Sequence, residues 1–181
     1  MRRIISALLL LFLFVAQSVL SQTSKPAPAE DILKAAIQAA EPTHKTVFLI
    51  FHASWCSWCK RLDAVLEQQV IKKIIEEHFV VTRLDVFESG DKIQTFENPG
   101  GKKIDIDLGG EQSGLPFYVF LDAEGKKIAD SNVMPNNENI GYPGSESEIA
   151  AFGKLLRLSA PRMSDEELSI VLAYLHEKAP H

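Results

Sequence analysis

The residues best suited to chemistry in this sequence are its two cysteines, Cys56 and Cys59, which are separated by two residues. They follow a continuous apolar run at residues 47–51 and open a segment with helical spacing, so we predict that the pair lies where a buried strand passes into a helix. A helix N-terminus presents free amides and a partial positive charge, and both favour a thiolate over a thiol. We therefore predict that Cys56 is the catalytic nucleophile of thiol–disulfide exchange and that Cys59, about one helical turn away, is the resolving thiol.

Three other uses of the cysteine pair are compatible with the sequence. A structural disulfide between residues three apart closes a very short loop, so it constrains the unfolded chain little and stability is a weak reason for it. Tetrahedral zinc needs four ligands, and the histidines form no close pair that would complete the set. Copper(I) is a soft ion that two thiolates and His52 could bind, so a copper-binding module remains an alternative. The exchange reaction needs no metal and no organic cofactor, and we predict none.

The segments around the pair alternate between strand and helix patterns. Strands separated by helices favour an α/β fold, an open sheet with helices on both faces. The last predicted helix begins with a capping box formed by Ser164 and Glu167. The predicted strands are residues 47–51, 80–87, 117–121 and 126–129, and the predicted helices are residues 30–40, 56–69, 70–79, 145–158 and 164–177.

The N-terminus has the pattern of an export signal. Two arginines precede an apolar run at residues 4–16, which is short for a membrane span but has the length of a signal-peptide core. We predict a cleaved signal peptide at residues 1–21, a flexible leader at residues 22–29 and one domain at residues 30–181, with no membrane span after cleavage. The protein would then be periplasmic or secreted, with an uncleaved anchor as the alternative. The net charge of −5 argues against nucleic acid as a partner.

Several segments resemble the thioredoxin family. Residues 51–60, which read Phe-His-Ala-Ser-Trp-Cys-Ser-Trp-Cys-Lys, are similar to its active-site segment, in which a tryptophan precedes C-x-x-C and a lysine follows it. Residues 114–117 resemble the loop in which the family holds a cis proline beside the cysteines, and residues 120–126 resemble its hairpin. The resemblance implies the thioredoxin fold, a central mixed sheet with helices on both faces, here with an insertion before the cis-proline loop and an extra C-terminal helix. Because Asp63 stands four positions after the second cysteine, the chain resembles in particular the exported members and the thioredoxin-like domain of the transmembrane disulfide reductase.

The resemblance also gives roles to residues outside the cysteine pair. It implies a cis bond between Leu115 and Pro116, which leaves the backbone of Leu115 free to pair with an extended substrate; a trans proline at a strand start is the alternative. Trp55 and Trp58 are predicted to frame the substrate-docking surface, although simple packing on the helix explains Trp58 equally well.

One departure from the family concerns the proton of Cys59. Thioredoxin proper buries an aspartate six positions before the first cysteine, where this chain has Ile50. Asp63 is a candidate substitute, because residues 59 and 63 share a helix face and a carboxylate can accept a proton during exchange. The competing interpretation is a solvated acid that is favourably placed in the early turns of a helix.

Two segments exceed a minimal thioredoxin. Within residues 88–113 the alternation of Ile104, Ile106 and Leu108 suggests a strand, whereas the topology of the family expects a helix, and the sequence does not decide between them. Residues 134–144 are rich in asparagine, proline and glycine and are predicted to form a long surface loop.

The predicted reaction is thiol–disulfide exchange with protein disulfides as substrates and an upstream thiol–disulfide reductase as electron donor. Ser57 and Trp58 replace the glycine and proline that the family usually has between the cysteines, and residues at these positions help to set the reduction potential. The likeness to the disulfide reductase favours reduction of substrates, with oxidase or isomerase activity as the rivals.

Overall fold

The computed structural model describes residues 25–179, so the predicted signal peptide and the start of the predicted leader lie outside the described residues. The described chain alternates helices and strands, with short 3₁₀ turns at Glu41–Thr43 and Pro135–Asn137. The strands are β1 (Thr46–His52), β2 (Phe79–Asp85), β3 (Phe117–Leu121) and β4 (Lys127–Asp130). The helices are α1 (Ala29–Ala40), α2 (Ser57–Leu66), α3 (Gln69–His78), α4 (Lys92–Thr95), α5 (Gly101–Asp107), α6 (Glu146–Ser159) and α7 (Asp165–Glu177).

The four strands form one mixed sheet in the order β2-β1-β3-β4. Strand β1 runs parallel to β2 and antiparallel to β3, which pairs in turn with β4 in an antiparallel hairpin. Because β1 and β2 are parallel, their carboxyl ends meet at the same edge of the sheet, where His52 lies opposite Asp85. Helix α2 begins five residues after β1 at this edge, so the cysteines and the segment that follows β2 are brought together.

Both faces of the sheet are buried by helices, as the sequence predicts. Alternate residues of β1 point to opposite faces. One face, carrying Phe48 and Ile50, packs against α2, α3, α6 and α7, and the ring of Phe48 stacks on that of Phe120 with centroids 4.6 Å apart. The other face, carrying Val47, Leu49 and Phe51, packs against α1 and α5.

The predicted elements are all present, with ends shifted by at most three residues. Residues 88–113, for which the sequence does not decide between a strand and a helix, contain two helices, α4 and α5. Gly101, Asp105 and the partly buried Ile104 and Leu108 lie on the inner side of α5, whereas Ile106 is exposed. Residues 104 and 108 are four apart and so share a helix face, which explains why an apparent strand alternation belongs to a helix. Residues 134–144 form a loop, but only its first half lies on the surface, because Ile140 and Tyr142 are buried in the core. The capping box of Ser164 and Glu167 is formed as predicted.

Candidate active site

The two cysteines form a disulfide at the start of α2, with their Cα atoms 5.3 Å apart. Cys56 is the N-cap residue of this helix, and its Sγ accepts a hydrogen bond of 3.1 Å from the amide of Cys59. Both residues are buried, and Cys56 exposes slightly more of its surface (4%) than Cys59 (2%). After reduction the same amide and the positive end of the helix would face the sulfur of Cys56, so the geometry favours Cys56 as the thiolate.

The loop between β1 and Cys56 is held by the segment that follows β2. The amide and the hydroxyl of Ser54 both donate hydrogen bonds to the carboxylate of Glu88, the hydroxyl at 2.8 Å. The indole of Trp55 donates to the carbonyl oxygen of Phe87 at 2.9 Å. The amide of Cys56 donates to the carbonyl oxygen of Ala53 at 3.0 Å. Each residue of the loop is therefore fixed by a specific contact before the chain enters the helix.

Sequence reasoning did not identify Glu88 as a site residue. It is separated from Ser54 by 34 positions. The one available indication is positional: Glu88 follows β2, and the ends of two parallel strands share a sheet edge with the cysteine loop. An acidic residue there is within reach of the site, but its burial cannot be read from local composition.

The peptide bond between Leu115 and Pro116 is cis, as the family resemblance implies. The side chain of Leu115 packs against the cluster of Ala53, Cys56 and Cys59. Within residues 25–179, neither the amide nor the carbonyl of Leu115 is hydrogen-bonded to another backbone group. The structure therefore places an unpaired backbone segment directly beside the disulfide.

A second residue that the sequence did not identify, Asn139, holds this loop from the other side. Its amide group donates to the carbonyl oxygen of Gly114 at 2.6 Å and to that of Pro116 at 3.0 Å. These two bonds flank Leu115 and leave its own carbonyl free. The loop at residues 134–144 is thus attached to the cis-proline segment.

The two tryptophans are each about half exposed; Trp55 directly precedes Cys56, and Trp58 lies between the two cysteines in the first turn of α2. The ring of Trp58 stacks on that of Tyr142, with centroids 5.8 Å apart, and the guanidinium of Arg61 lies 5.0 Å from the centroid of Trp58. Trp58 also lines a cleft of about 390 Å³, whose other walls are Leu115, Ile140, Gly141, Tyr142, Gly144, Ser145 and Glu148. Exposed aromatic surface beside an unpaired backbone segment can bind an extended peptide.

Asp63 lies on α2 but its carboxylate is directed towards β2. Its Oδ1 accepts a hydrogen bond of 2.6 Å from Nε of Arg83, and its Oδ2 is 3.8 Å from Nδ1 of His52. The other ring nitrogen of His52 is 3.3 Å from Oδ1 of Asp85. Burial raises the pKa of Asp85, His52 opposes this shift, and the charges of Glu88 and Asp63 add to it. The structure gives Asp63 a structural role, the ion pair with Arg83, and its part in proton transfer from Cys59 stays a prediction.

The surroundings of His52 bear on the copper alternative, because both of its ring nitrogens face carboxylates. Among residues 25–179 no group of three or more His, Cys, Asp or Glu side chains is arranged to hold a metal ion. The helices of these residues are all too short or too polar to span a lipid bilayer.

The chain has a thioredoxin fold with a C-x-x-C disulfide at the start of the helix that follows its central strand. A family model described as thioredoxin-like matches residues 29–123. The chain belongs to the thioredoxin-like family.

Particular relatives agree with this assignment. Disulfide bond reductase DsbH of Chlamydia pneumoniae is 29% identical over 102 residues, which are 55% of this chain and 60% of that protein. A protein disulfide-isomerase of Hordeum vulgare is 25% identical over 134 residues, which are 70% of this chain and 23% of that enzyme. The chain thus spans less than two thirds of the length of these relatives. The crystal structure of disulphide isomerase from Xylella fastidiosa Temecula1 has a TM-score of 0.50 at 26% identity, covering 82% of this chain and 92% of that chain.

Proposed function

We propose that this protein is an exported thiol–disulfide oxidoreductase that reduces disulfides of protein substrates through Cys56 and Cys59. The observation that carries the proposal is the position of Cys56 as the N-cap of α2, with the amide of Cys59 donating to its sulfur. This arrangement stabilises a negative charge on Cys56 and keeps the second thiol within bonding distance.

The reaction proceeds by two exchanges that conserve electrons. The thiolate of Cys56 attacks one sulfur of the substrate disulfide, a bond forms between Cys56 and the substrate, and the other substrate sulfur leaves as a thiolate. Cys59 then loses its proton and attacks the sulfur of Cys56, which releases the second substrate thiolate and forms the Cys56–Cys59 disulfide. Two electrons have passed to the substrate, and an upstream dithiol restores them by the reverse sequence.

Substrate binding is proposed to use the free backbone of Leu115 beside Pro116. An extended peptide would pair with this backbone as an added strand, which places its disulfide next to the thiolate of Cys56. Leu115 packs against Cys56, which has little exposed surface, so a peptide paired with the backbone of Leu115 would lie beside the cysteine. The exposed rings of Trp55 and Trp58 and the cleft beside Trp58 supply apolar surface for the residues that flank the substrate cysteine.

The direction of electron flow and the export of the protein are supported by different observations. The name of the Chlamydia relative, a disulfide bond reductase, favours the reducing direction, and the export signal predicted at residues 1–21 favours a periplasmic or secreted protein. The redox equilibrium with glutathione tests the direction: a potential near about −270 mV suits a reductant, and one near about −120 mV suits an oxidant.

A trapping experiment tests the activity itself. In Cys59→Ser the first exchange proceeds but resolution cannot, so the variant should accumulate a mixed disulfide with a model substrate such as insulin. Cys56→Ser is the matched control, because it retains one thiol but lacks the proposed nucleophile, and it should neither trap substrate nor reduce insulin. Unchanged insulin reduction by Cys56→Ser would refute the proposal.

A further inference from the structure

The carboxylate of Glu88 is the charged group most closely attached to the loop that presents Cys56. Glu88 is 6% exposed, and its two oxygens are bound by the amide and the hydroxyl of Ser54, two residues before the cysteine. The backbone of Glu88 is held by a second contact, because its amide donates a hydrogen bond of 2.8 Å to the carboxylate of Glu97. Phe87, the preceding residue, has a φ of 57° and accepts the indole hydrogen bond of Trp55. The segment of Phe87 and Glu88 therefore holds the cysteine loop through three hydrogen bonds.

A carboxylate attached two residues before a cysteine can also act on that thiol through its charge. A nearby negative charge disfavours a second negative charge, and burial strengthens this repulsion because little water screens it. This repulsion opposes the effect of the helix N-terminus, which favours the thiolate of Cys56. We propose that Glu88 is a positioning residue that both holds the loop before Cys56 and, by its charge, makes the cysteine pair more reducing. This inference rests on the proposed function and concerns its direction.

The link from charge to direction follows from the stability of the reduced form. Reduction of the disulfide takes two electrons and yields the thiols of Cys56 and Cys59, of which Cys56 can exist as a thiolate. A site that stabilises the thiolate stabilises the reduced form and makes the disulfide a stronger oxidant. Glu88 has the opposite effect, because its charge makes the thiolate less favourable and so favours the passage of electrons to substrates.

Other charged groups near this loop set the background against which Glu88 acts. Asp85 at the end of β2 and Glu97 are further acids, and Asp85 experiences the charge of Glu88. The ammonium of Lys102 lies 5.6 Å from the centroid of the Phe87 ring. Of the acids, Glu88 alone is hydrogen-bonded to the cysteine loop within residues 25–179. Its removal should therefore have a larger effect than removal of its neighbours.

The test is Glu88→Gln in the reduced protein, measured by the rate of Cys56 alkylation with iodoacetamide against pH. Glutamine can accept from the amide of Ser54 and donate to its hydroxyl, so the contacts can be retained while the charge is lost. The midpoint of the curve should move to lower pH by about one unit. Because a thiolate of lower pKa is a weaker nucleophile, the rate below the midpoint should rise by about three- to fourfold and the limiting rate at alkaline pH should fall by about two- to threefold. The equilibrium constant for reduction of the disulfide by glutathione should rise, and the ratio of variant to wild type should increase with pH. A structural role alone would leave the midpoint in place, whatever its effect on the limiting rate.

Two further variants keep the proposal falsifiable. Glu97→Gln is the matched control, an acid of the same segment without a contact to Ser54, and it should move the midpoint by less than half as much. Ser54→Ala removes one donor from Glu88 but leaves its charge, so the midpoint should move to higher pH. A curve for Glu88→Gln that superimposes on that of the wild type, or a shift to lower pH in Ser54→Ala, would overturn the proposal. Failure of the wild type to reduce insulin would instead refute the proposed function.

Discussion

Asp105 carries a buried carboxyl group whose ionisation should make the stability of the protein depend on pH. It lies on the inner side of α5, where it is 1% exposed, and neither carboxylate oxygen has a hydrogen-bond partner within residues 25–179. The chain passes so close that a Cβ added at Gly110 would lie 2.1 Å from its Oδ1. Burial raises the pKa of Asp105 from 3.8 to about 6, since an ion in this position would lose its hydration without gaining a partner.

The sign and size of the effect follow from these two values. Between pH 3.8 and about 6 the folded protein retains the proton of Asp105, whereas the unfolded chain releases it. The free energy of unfolding therefore falls as the pH rises through this window and is constant with respect to this group above it. At about 1.4 kcal/mol per pH unit the contribution of Asp105 is about 3 kcal/mol.

Asp105→Asn should remove this dependence, because the amide has nearly the same shape and does not ionise. We expect the free energy of unfolding of the variant, relative to the wild type, to increase by about 2.4 kcal/mol between pH 4 and pH 7.5, because part of the full contribution is already lost at pH 4. Urea unfolding of the oxidised proteins, followed by tryptophan fluorescence at a series of pH values, measures it. The comparison cancels the contributions of all other groups.

Asp107→Asn is the matched control for this prediction. Asp107 lies two residues further along the same helix, is exposed and pairs with Lys103. Its removal should change stability by less than about 1 kcal/mol. If the difference between Asp105→Asn and the wild type were the same at every pH, the assignment of a buried, unpaired carboxyl group would be wrong.

Three further predictions concern the site and the core. If Asp63 accepts the proton of Cys59, Asp63→Asn should slow resolution of the mixed disulfide at neutral pH. Glu67→Gln removes the other acid beside Arg83 and should leave this rate unchanged. Quenched-flow analysis of the mixed disulfide measures both rates, and equal rates in the two variants would assign Asp63 to the ion pair alone. Asn139→Ala removes the donors to Gly114 and Pro116 and should lower the free energy of unfolding by about 1 to 2 kcal/mol. It should also raise KM for insulin more than it lowers kcat, with Glu138→Gln in the same loop as the control. A KM equal to that of the wild type would contradict the proposed role of the Leu115 segment. Phe48→Ala should lower the free energy of unfolding, measured by urea unfolding, by about 3 to 5 kcal/mol. Phe96→Ala, at an exposed position, should lower it by less than about 1 kcal/mol. Similar losses in the two variants would contradict the assignment of the aromatic core around Phe48 as a main source of stability.

The parts of the fold that the sequence predicts correctly are those with an unambiguous local pattern. The run at residues 47–51 is apolar throughout because β1 is buried on both faces, and the cysteine pair follows it at the start of a helix. The sequence does not decide between a strand and a helix for the insertion, because Ile104, Ile106 and Leu108 have the spacing of a strand while Ile104 and Leu108 also have that of a helix. What distinguishes the two is the burial of Asp105, a polar residue that no hydrophobic pattern would place inside.

The contacts that position the site were not predictable in the same way, because they join residues far apart in the sequence. The bond between Ser54 and Glu88 depends on the parallel register of β1 and β2 and on the left-handed conformation of Phe87. The bonds from Asn139 depend on a loop that returns to the cis-proline segment after β4. Neither glutamate nor asparagine is distinguished from other polar loop residues until the chain is folded.

The direction of electron flow depends on a balance between contributions of opposite sign at one sulfur atom. The N-terminus of α2 favours the thiolate of any residue at its N-cap, so its presence alone would make the disulfide more oxidising. A reductase therefore needs a contribution that opposes the helix without displacing the nucleophile. Glu88 has these properties, because it is attached to the loop through Ser54 rather than to the sulfur itself. On this reasoning the segment after β2, and not the two residues between the cysteines alone, decides whether the pair gives or takes electrons.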